Sequence, residues 1–480
     1  MNSAIVQYRK YRWVRYTLVG LLLSAVALLI QYIATFQRNS DVLTNILNSE
    51  NYPEYLPKFR EKYLKHLEGS IYLDYTGAGV YSDLDVERFR RDIFPENVIS
   101  NQTKIDENKL IEETREELLS FLGTNSNDYV VVFLASATQA LKLVGENYAW
   151  KSSSKFLYTL YNHNSVLGIR KYVLAAGGTF GVLNSSKEIV ADQDTLYAVA
   201  LEDNFAGTKL GKEEMYRLTH TPGITIIGDS SAFLPTNQLN LTEYPFDAVV
   251  LSFYKIIGFP NYGAAVLKRS FAEKLVKKSF LEGSVDLALS TTETKYRLHK
   301  DLPYKLEDDL PSPDLVRAAK YGLESIKAIG IENVNKHVWR LTQRLYNGLD
   351  KMLHSTNVKA CQIYGNHELK NSDLQGGIVA FNIKKPDDDY VGYAAVIRDA
   401  SKAGFHLRGG CHCNPGACFR FMGISEEKVK AYFDQKTTCG DNNDIVDGIP
   451  LGAVRASLGW ASTENDVDSF LNWISENYVY

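Results

Sequence analysis

The chain has 480 residues, 45% hydrophobic and 23% charged, which is enough to bury a large core in two packed domains and rules out a disordered or fibrous protein. Its formal net charge of −4 gives no basic stripe of the kind nucleic-acid binders carry, so nucleic acid is not the expected partner. Five cysteines, at positions 361, 411, 413, 418 and 439, are too few and too clustered for a disulfide scaffold, and the odd count leaves at least one free thiol.

A short basic tail, residues 1–15, precedes an uncharged run at 16–36, "YTLVGLLLSAVALLIQYIATF". That run matches the ~20 residues a helix needs to cross a bilayer and reads as a single transmembrane helix. A signal-peptide core is shorter, ~7–15 residues, and ends at a small-residue cleavage site that is missing here. Arg9, Lys10, Arg12 and Arg15 stand before the span and only Arg38 closely after it. The positive-inside rule therefore keeps the tail on the cytosolic or matrix side and narrowly favours the rest of the chain on the other, in the endoplasmic reticulum or a mitochondrion. Sequons at Asn101, Asn184 and Asn240 fit that side. Thiol chemistry opposes it, because an oxidising lumen does not keep thiols reduced.

Residues 37–70 form a connector with one helical stretch, "EYLPKFREKYLKHLEG". Residues 71–330 then alternate apolar runs with helical patterns, which predicts a large domain built on a mainly parallel sheet covered by helices. A smaller α+β domain occupies 331–480. In the large domain, "DYVVVFLAS" leads into Ser136, Ala137 and Thr138, and "SKFLYTLYN" leads into His163. "TLYAVALED" ends at Asn204, "GITIIGD" at Asp229, and "FDAVVLSFY" at Lys255. Five strands each deliver polar residues at the carboxyl end, where open α/β sheets bind ligands, so the set predicts one crevice.

A buried lysine is rare, because desolvation depresses its pKa; a neutral amine is what an attack on a carbonyl requires, as with pyridoxal phosphate. That cofactor needs a carboxylate at its ring nitrogen, donors for its phosphate and a flat partner for its ring. Asp229 suits the ring nitrogen. Ser136, Ala137 and Thr138, opening the helix "TQALKLVGENYAW", suit the phosphate, with Ser252 beside them. His163 suits stacking on the ring, and Asn204 suits a bond to its phenolic oxygen.

The motifs "GDSSAFLPT", "VVLSFYKIIGFPNYGAAVL", "LRGGCHCNPGACFRFMGIS" and "GAVRASLGWASTENDVDSFLNWI" resemble the desulfurase domain of the molybdenum cofactor sulfurase family, within the class V aminotransferase and cysteine desulfurase group. The resemblance covers roughly residues 70 to 480. It implies the pyridoxal-phosphate-dependent transferase fold, aspartate aminotransferase-like, with Lys255 as the lysine bonded to the cofactor. It further implies that Cys413 takes sulfur from L-cysteine and that Arg408 and Arg455 hold the substrate carboxylate, a task suited to guanidinium forks. Arg408 and His412, near in sequence, are the groups expected to lower the thiol pKa. A homodimer is also implied, with Ser284 donated to a neighbour's cofactor site.

The chain departs from that pattern at Ala135-Ser136-Ala137-Thr138, where the family usually has Ser-Gly-Ala-Thr, and at Glu282-Gly283-Ser284 and Glu307-Asp308-Asp309-Leu310. It ends at Tyr480, so the family's C-terminal sulfur-receiving domain is not expected, and the acceptor is left open. Zinc is the rival use of "CHCNPGAC", disfavoured because its two nearest cysteines are closer than structural zinc motifs usually place them; no metal is expected. The function expected is a membrane-anchored cysteine desulfurase-like enzyme that forms a persulfide on Cys413 and releases alanine. The alternatives are another pyridoxal-phosphate lyase acting on a sulfur or selenium amino acid, and a catalytically inactive tethered scaffold.

Overall fold

The structure, a computed structural model, describes residues 52–92, 101–277, 282–288, 292, 295–433 and 443–480. The apolar run 16–36 lies outside the described residues. Among the described residues no helix is long and apolar enough to cross a membrane.

The large domain is built on a seven-stranded sheet. Its strands are β2 (Tyr129–Leu134), β3 (Lys155–Thr159), β4 (Thr179–Leu183), β5 (Thr195–Ala200), β6 (Thr225–Asp229), β7 (Ala248–Ser252) and β8 (Gly263–Lys268). They lie in the order β2-β8-β7-β6-β5-β3-β4. Only β8 runs antiparallel to its neighbours, so the other six strands end on one side. Both faces of the sheet are covered, which is why these strands read as continuous apolar runs. Tyr129, Val131 and Phe133 of β2 pack into the core on one face, and Val130, Val132 and Leu134 into the core on the other. The helix Ala137–Asn147 covers the second face with Ala140, Leu141 and Val144, and Pro313–Ile329 covers the first with Val316, Ala319 and Leu323.

A hairpin, β9 (Val285–Ala288) with β10 (Tyr296–Leu298), follows the large sheet. The small domain is an antiparallel sheet of β11 (Cys361–Tyr364), β12 (Ile378–Lys384), β15 (Arg408–Gly410) and β18 (Ala453–Ser457), in the order β11-β12-β18-β15, with β13 (Tyr390–Val391) added on β12. The helices Ile331–Asp350 and Glu464–Tyr478 bury Val338, Leu341, Leu345, Phe470 and Ile474 in its core.

One N-terminal piece crosses between the two domains. β1 (Ile71–Tyr72) pairs in parallel with β14 (Phe405–His406), and Asp74 bridges to Ser457. The first strand of the segment expected to open the large domain is thus hydrogen-bonded into the small one. The helix Tyr52–Tyr63, from the expected connector, also packs there: the Tyr52 hydroxyl donates to Trp460 O at 3.4 Å, and Arg60 donates to Ala461 O at 3.1 Å.

Candidate active site

The parallel strands deliver their end residues as expected. Ser136, Ala137, Thr138, His163, Asn204, Asp229, Ser252 and Lys255 all line one cleft. The small domain's loop after β15 is bound to one of these residues, with Asn204 Nδ2 donating to His412 O.

Ser136 is the N-cap of the helix Ala137–Asn147, and its Oγ accepts from Gln139 N at 3.3 Å. The backbone there is extended, φ −173° and ψ 170°, which any residue adopts, so replacing the family's glycine with serine introduces no strain. The glycine that matters lies opposite: a Cβ on Gly263 would sit 2.6 Å from the Ser136 carbonyl carbon, so only glycine lets β8 run this close. The Ala137 amide is already donated, to Ser252 Oγ at 3.0 Å, and Thr138 Oγ1 lies 2.7 Å from Ser165 Oγ. Hydroxyls therefore cluster at a positive helix terminus, the arrangement that receives an anion.

Lys255 sits in the short helix Phe253–Ile257, directly after β7. Burial pushes its amine below the usual lysine range, and Arg455 and Arg408 push the same way against the opposing charge of Asp229. The shift is in the direction of the neutral amine that the chemistry requires. Burial likewise lowers the His163 imidazole; its Nδ1 faces Ser165, accepting from that residue's backbone N–H at 3.1 Å. Asp229, 8% exposed, accepts from Ser231 N at 3.0 Å.

The cysteine loop departs from the sequence reading in three respects. Cys411 and Cys418 are joined in a disulfide, which pairs two of the three clustered sulfurs and leaves neither as a thiolate ligand for zinc. Cys413 remains free and exposed between them. His412 and Cys413 both take left-handed backbone, φ 55° and 56°, an uncommon state for residues other than glycine that is held here by bonds to the large domain. Asn204 Nδ2 donates to His412 O at 2.6 Å, Asn164 N donates to Cys413 O at 2.8 Å, and Asn414 Nδ2 donates to Tyr161 O at 3.0 Å and to Asn204 Oδ1 at 3.1 Å. The Asn204 amide, expected at a cofactor oxygen, is therefore engaged in docking the loop. His412, expected to help activate the thiol as a cation, is held neutral by burial and by Arg455 and Arg408. Its two ring nitrogens are buried without partners.

Arg408 and Arg455 face each other across the β15–β18 ladder and converge on Asp74. Arg455 is 2% exposed; it donates from Nη1 to Asn204 O at 2.7 Å and from Nη2 to Asp74 Oδ1 at 2.8 Å, while its Nε is buried without a partner. Ser284 lies apart from the cleft on the turn Glu282–Ser284 and is fully buried in its own chain, with its carbonyl accepting from His299 N. Gly283 of that turn packs against Asp309, which brings together two of the stretches where the chain departs from the family pattern.

Two carboxylates were not anticipated. Asp74 ends the run "IYLD", whose strand β1 is only two residues long and lies outside the large sheet. Glu202, 3% exposed, lines the cleft two residues before Asn204; burial raises its carboxyl to about 8, and Asn237 Nδ2 donates to its Oε2 at 3.2 Å. No local pattern distinguishes it from a loop glutamate.

The residues present fit pyridoxal phosphate: hydroxyls at a helix N-terminus for the phosphate, a buried carboxylate for the ring nitrogen, a half-buried imidazole for the ring and a desolvated lysine. The unpartnered nitrogens of His412 and Arg455 fit a further polar ligand beside it.

Comparison with known proteins agrees with this chemistry. Over residues 94–470 the chain matches the family described as aminotransferase class-V. It is 31% identical over 480 aligned residues to a molybdenum cofactor sulfurase of Oryza sativa subsp. japonica, covering 89% of this chain and 58% of the relative. It is 31% identical to the human protein of that name, covering 89% of this chain and 52% of the relative. The chain thus spans little more than half the length of these curated relatives. Among solved structures, the fold is similar to an apo cysteine desulfurase from Thermococcus onnurineus NA1, with a TM-score of 0.72 at 19% identity over 88% of this chain and 98% of that one. It is also similar to a cystine C-S lyase solved with its product cysteine persulfide, with a TM-score of 0.66 at 13% identity over 87% of this chain and 100% of that one. The match covers the large sheet, the lysine and the cysteine loop in one continuous stretch, and the chain belongs to the class-V aminotransferase family.

Proposed function

We propose that this protein is a pyridoxal-phosphate-dependent cysteine desulfurase that transfers the sulfur of L-cysteine to Cys413, leaving alanine. The observation that carries this reading is a desolvated lysine in the cleft and, on a loop that Asn164 and Asn204 bind, a free, exposed thiol, with an arginine pair between the domains.

Ser136, Thr138 and Ser252 would hold the cofactor's phosphate, Asp229 its ring nitrogen, and Lys255 its carbonyl carbon. When bound, the cofactor withdraws electrons from the substrate's α-carbon. The chain's own residues do the rest. Lys255 Nζ, whose charged form burial disfavours, accepts the α-proton and returns a proton to carbon. Arg408 and Arg455 hold the substrate carboxylate, and the neutral His163 imidazole can stack on the ring without adding charge. Cys413 Sγ, as thiolate, attacks the substrate sulfur; the S–S bond forms, the C–S bond breaks and its electron pair stays on carbon, which takes up a proton. Cysteine and a protein thiol become alanine and a protein persulfide, with no external oxidant or reductant.

Purified protein supplied with pyridoxal phosphate and L-cysteine should form alanine and one alkylatable persulfide. Lys255→Ala should lose the visible absorbance, and Cys413→Ser should keep it while losing alanine. Pyruvate instead of alanine, undiminished in Cys413→Ser, would identify an eliminating lyase; no absorbance in the wild-type protein would leave a tethered scaffold.

The same reading includes a homodimer and a single membrane span. The uncharged run 16–36 and the four basic residues before it support an anchored chain with its catalytic domain narrowly favoured on the non-cytosolic side. Digestion of that domain in intact organelles without detergent would reverse the sidedness, and full cofactor occupancy in a sedimenting monomer would remove the dimer. The sulfur acceptor belongs to whichever compartment that experiment identifies.

A further inference from the structure

Asp74 occupies the centre of the arginine pair, on a segment that comes from neither cofactor wall. Arg408 donates from Nε to Asp74 Oδ2 at 2.9 Å, with Nη2 at 2.8 Å from the same oxygen, and Arg455 Nη2 donates to Oδ1 at 2.8 Å. One carboxylate therefore bridges two guanidinium groups that are direct cross-strand partners. Like charges placed opposite each other on a ladder repel, and a buried arginine stripped of its counter-ion is strongly destabilising. Without Asp74 the pair would not hold this geometry.

The turn that carries the carboxylate is itself fixed. Gly77 N and Ala78 N donate to the Asp74 carbonyl at 2.9 and 3.1 Å, and the Tyr72 hydroxyl reaches the Asp74 and Ala78 carbonyls at 3.2 and 3.0 Å. Gly77 has no room for a side chain, since a Cβ there would lie within 3 Å of both the Asp74 carboxylate and Arg408 Nη2. The turn continues to Gly79, whose N–H donates to Tyr254 O at 2.8 Å and whose missing Cβ would meet Lys255 O at 2.8 Å. The support of the arginine pair is thus continuous with the main chain that carries the lysine.

We propose that Asp74 is a positioning residue for substrate binding: it holds Arg408 and Arg455 together as a preformed clamp and stays in place when the substrate's carboxylate joins, rather than being displaced by it. The buried, unpartnered Arg455 Nε and the half-exposed Arg408 side chain leave donor capacity for that second carboxylate. The inference rests on the desulfurase reading, in which these arginines take the substrate carboxylate.

The test uses the full chain loaded with cofactor. Asp74→Asn is expected to raise KM for L-cysteine by about 10–100-fold while kcat stays within about threefold, since a charged hydrogen bond is lost from binding but not from the reacting atoms. Asp74→Glu should recover part of that loss. Independently of turnover, Asp74→Ala should melt earlier than the wild-type protein, and formate, a free carboxylate, should restore its melting temperature while leaving the wild type unmoved. Tighter cysteine binding in Asp74→Asn would overturn the proposal, because it would make Asp74 a competitor for the arginines. An unchanged KM, or a fall confined to kcat, would overturn it as well. If the wild-type protein turns over no cysteine and its absorbance responds to no amino acid, the desulfurase reading and this inference fall together; a responsive wild type beside an unaltered Asp74→Asn removes this inference alone.

Discussion

The two walls of the cleft are built on different principles. On the large-domain side, each functional residue stands at or just beyond the end of a parallel strand, and ordinary backbone places it: Asp229 closes β6, Ser252 closes β7, and Ser136 caps a helix in extended conformation. On the small-domain side, Cys413 is held by a disulfide around it, two consecutive left-handed residues and hydrogen bonds from asparagines on the opposite wall or reaching across to it. The first wall is the proposed seat of the cofactor. The second presents a thiol by contacts that need both domains, so damage to each should fail in a different way.

The largest effect expected is on the first wall. Asp229→Ala removes the carboxylate proposed for the ring nitrogen, and activity should fall by about 10^3-fold or more with weakened cofactor retention, read by absorbance after gel filtration. The comparison breaks if the cofactor stays bound and turnover survives. On the second wall, Asn414→Ala deletes bonds to Tyr161, to Asn204 and to Ala417 N, each about 1 kcal/mol. Alanine formation should fall by about 10–100-fold while the cofactor spectrum is unchanged. Loss of the spectrum as well would mean that the loop supports the cofactor seat.

A smaller effect concerns pH. Glu202 has its carboxyl raised to about 8 by burial, so the folded chain binds a proton that the unfolded chain releases near 4.5. This contribution to stability is complete below pH 4.5 and is lost as pH rises through 8. The wild-type melting temperature should therefore decline between pH 5 and pH 8.5 by about 2–4 °C more than that of Glu202→Gln, measured by calorimetry. Parallel curves would show that Glu202 is ionised throughout. The smallest effect is expected for Ser136→Gly, which restores the family's glycine. Glycine is a good N-cap and the backbone is extended here, so the melting temperature should be nearly unchanged, while loss of one hydroxyl from the phosphate site should weaken cofactor binding by no more than about tenfold; a gain in affinity would mean that the serine hydroxyl obstructs the phosphate.

The contrast between the walls also explains what could be read in advance. Eight cofactor-wall positions were legible because continuous apolar runs announce strands buried on both faces, and in such sheets the ligand side is the carboxyl end. Asp74 was hidden by the brevity of β1, two residues long and paired to a strand more than 300 positions away. The Cys411–Cys418 pairing was not legible, because the spacing of clustered cysteines admits metal, disulfide and nucleophile alike until the loop's path is known. The surroundings of Asn204 and His412 were not legible for one reason: what an amide bonds, or whether an imidazole is charged, depends on what the other domain brings against it.

By itself, then, the sequence determined the elements and their polar ends: a lysine after a buried strand, an aspartate closing another, a serine before a helix and a free thiol among clustered cysteines. These follow from local periodicity and from the cost of burying charge, both of which act along the chain. Only the tertiary structure decided that Asp74 joins Arg408 to Arg455, that Asn414 ties the cysteine loop to the sheet, and that His412 is neutral beside two arginines. Those outcomes depend on desolvation and on charges brought together from distant segments, which have no signature in local sequence.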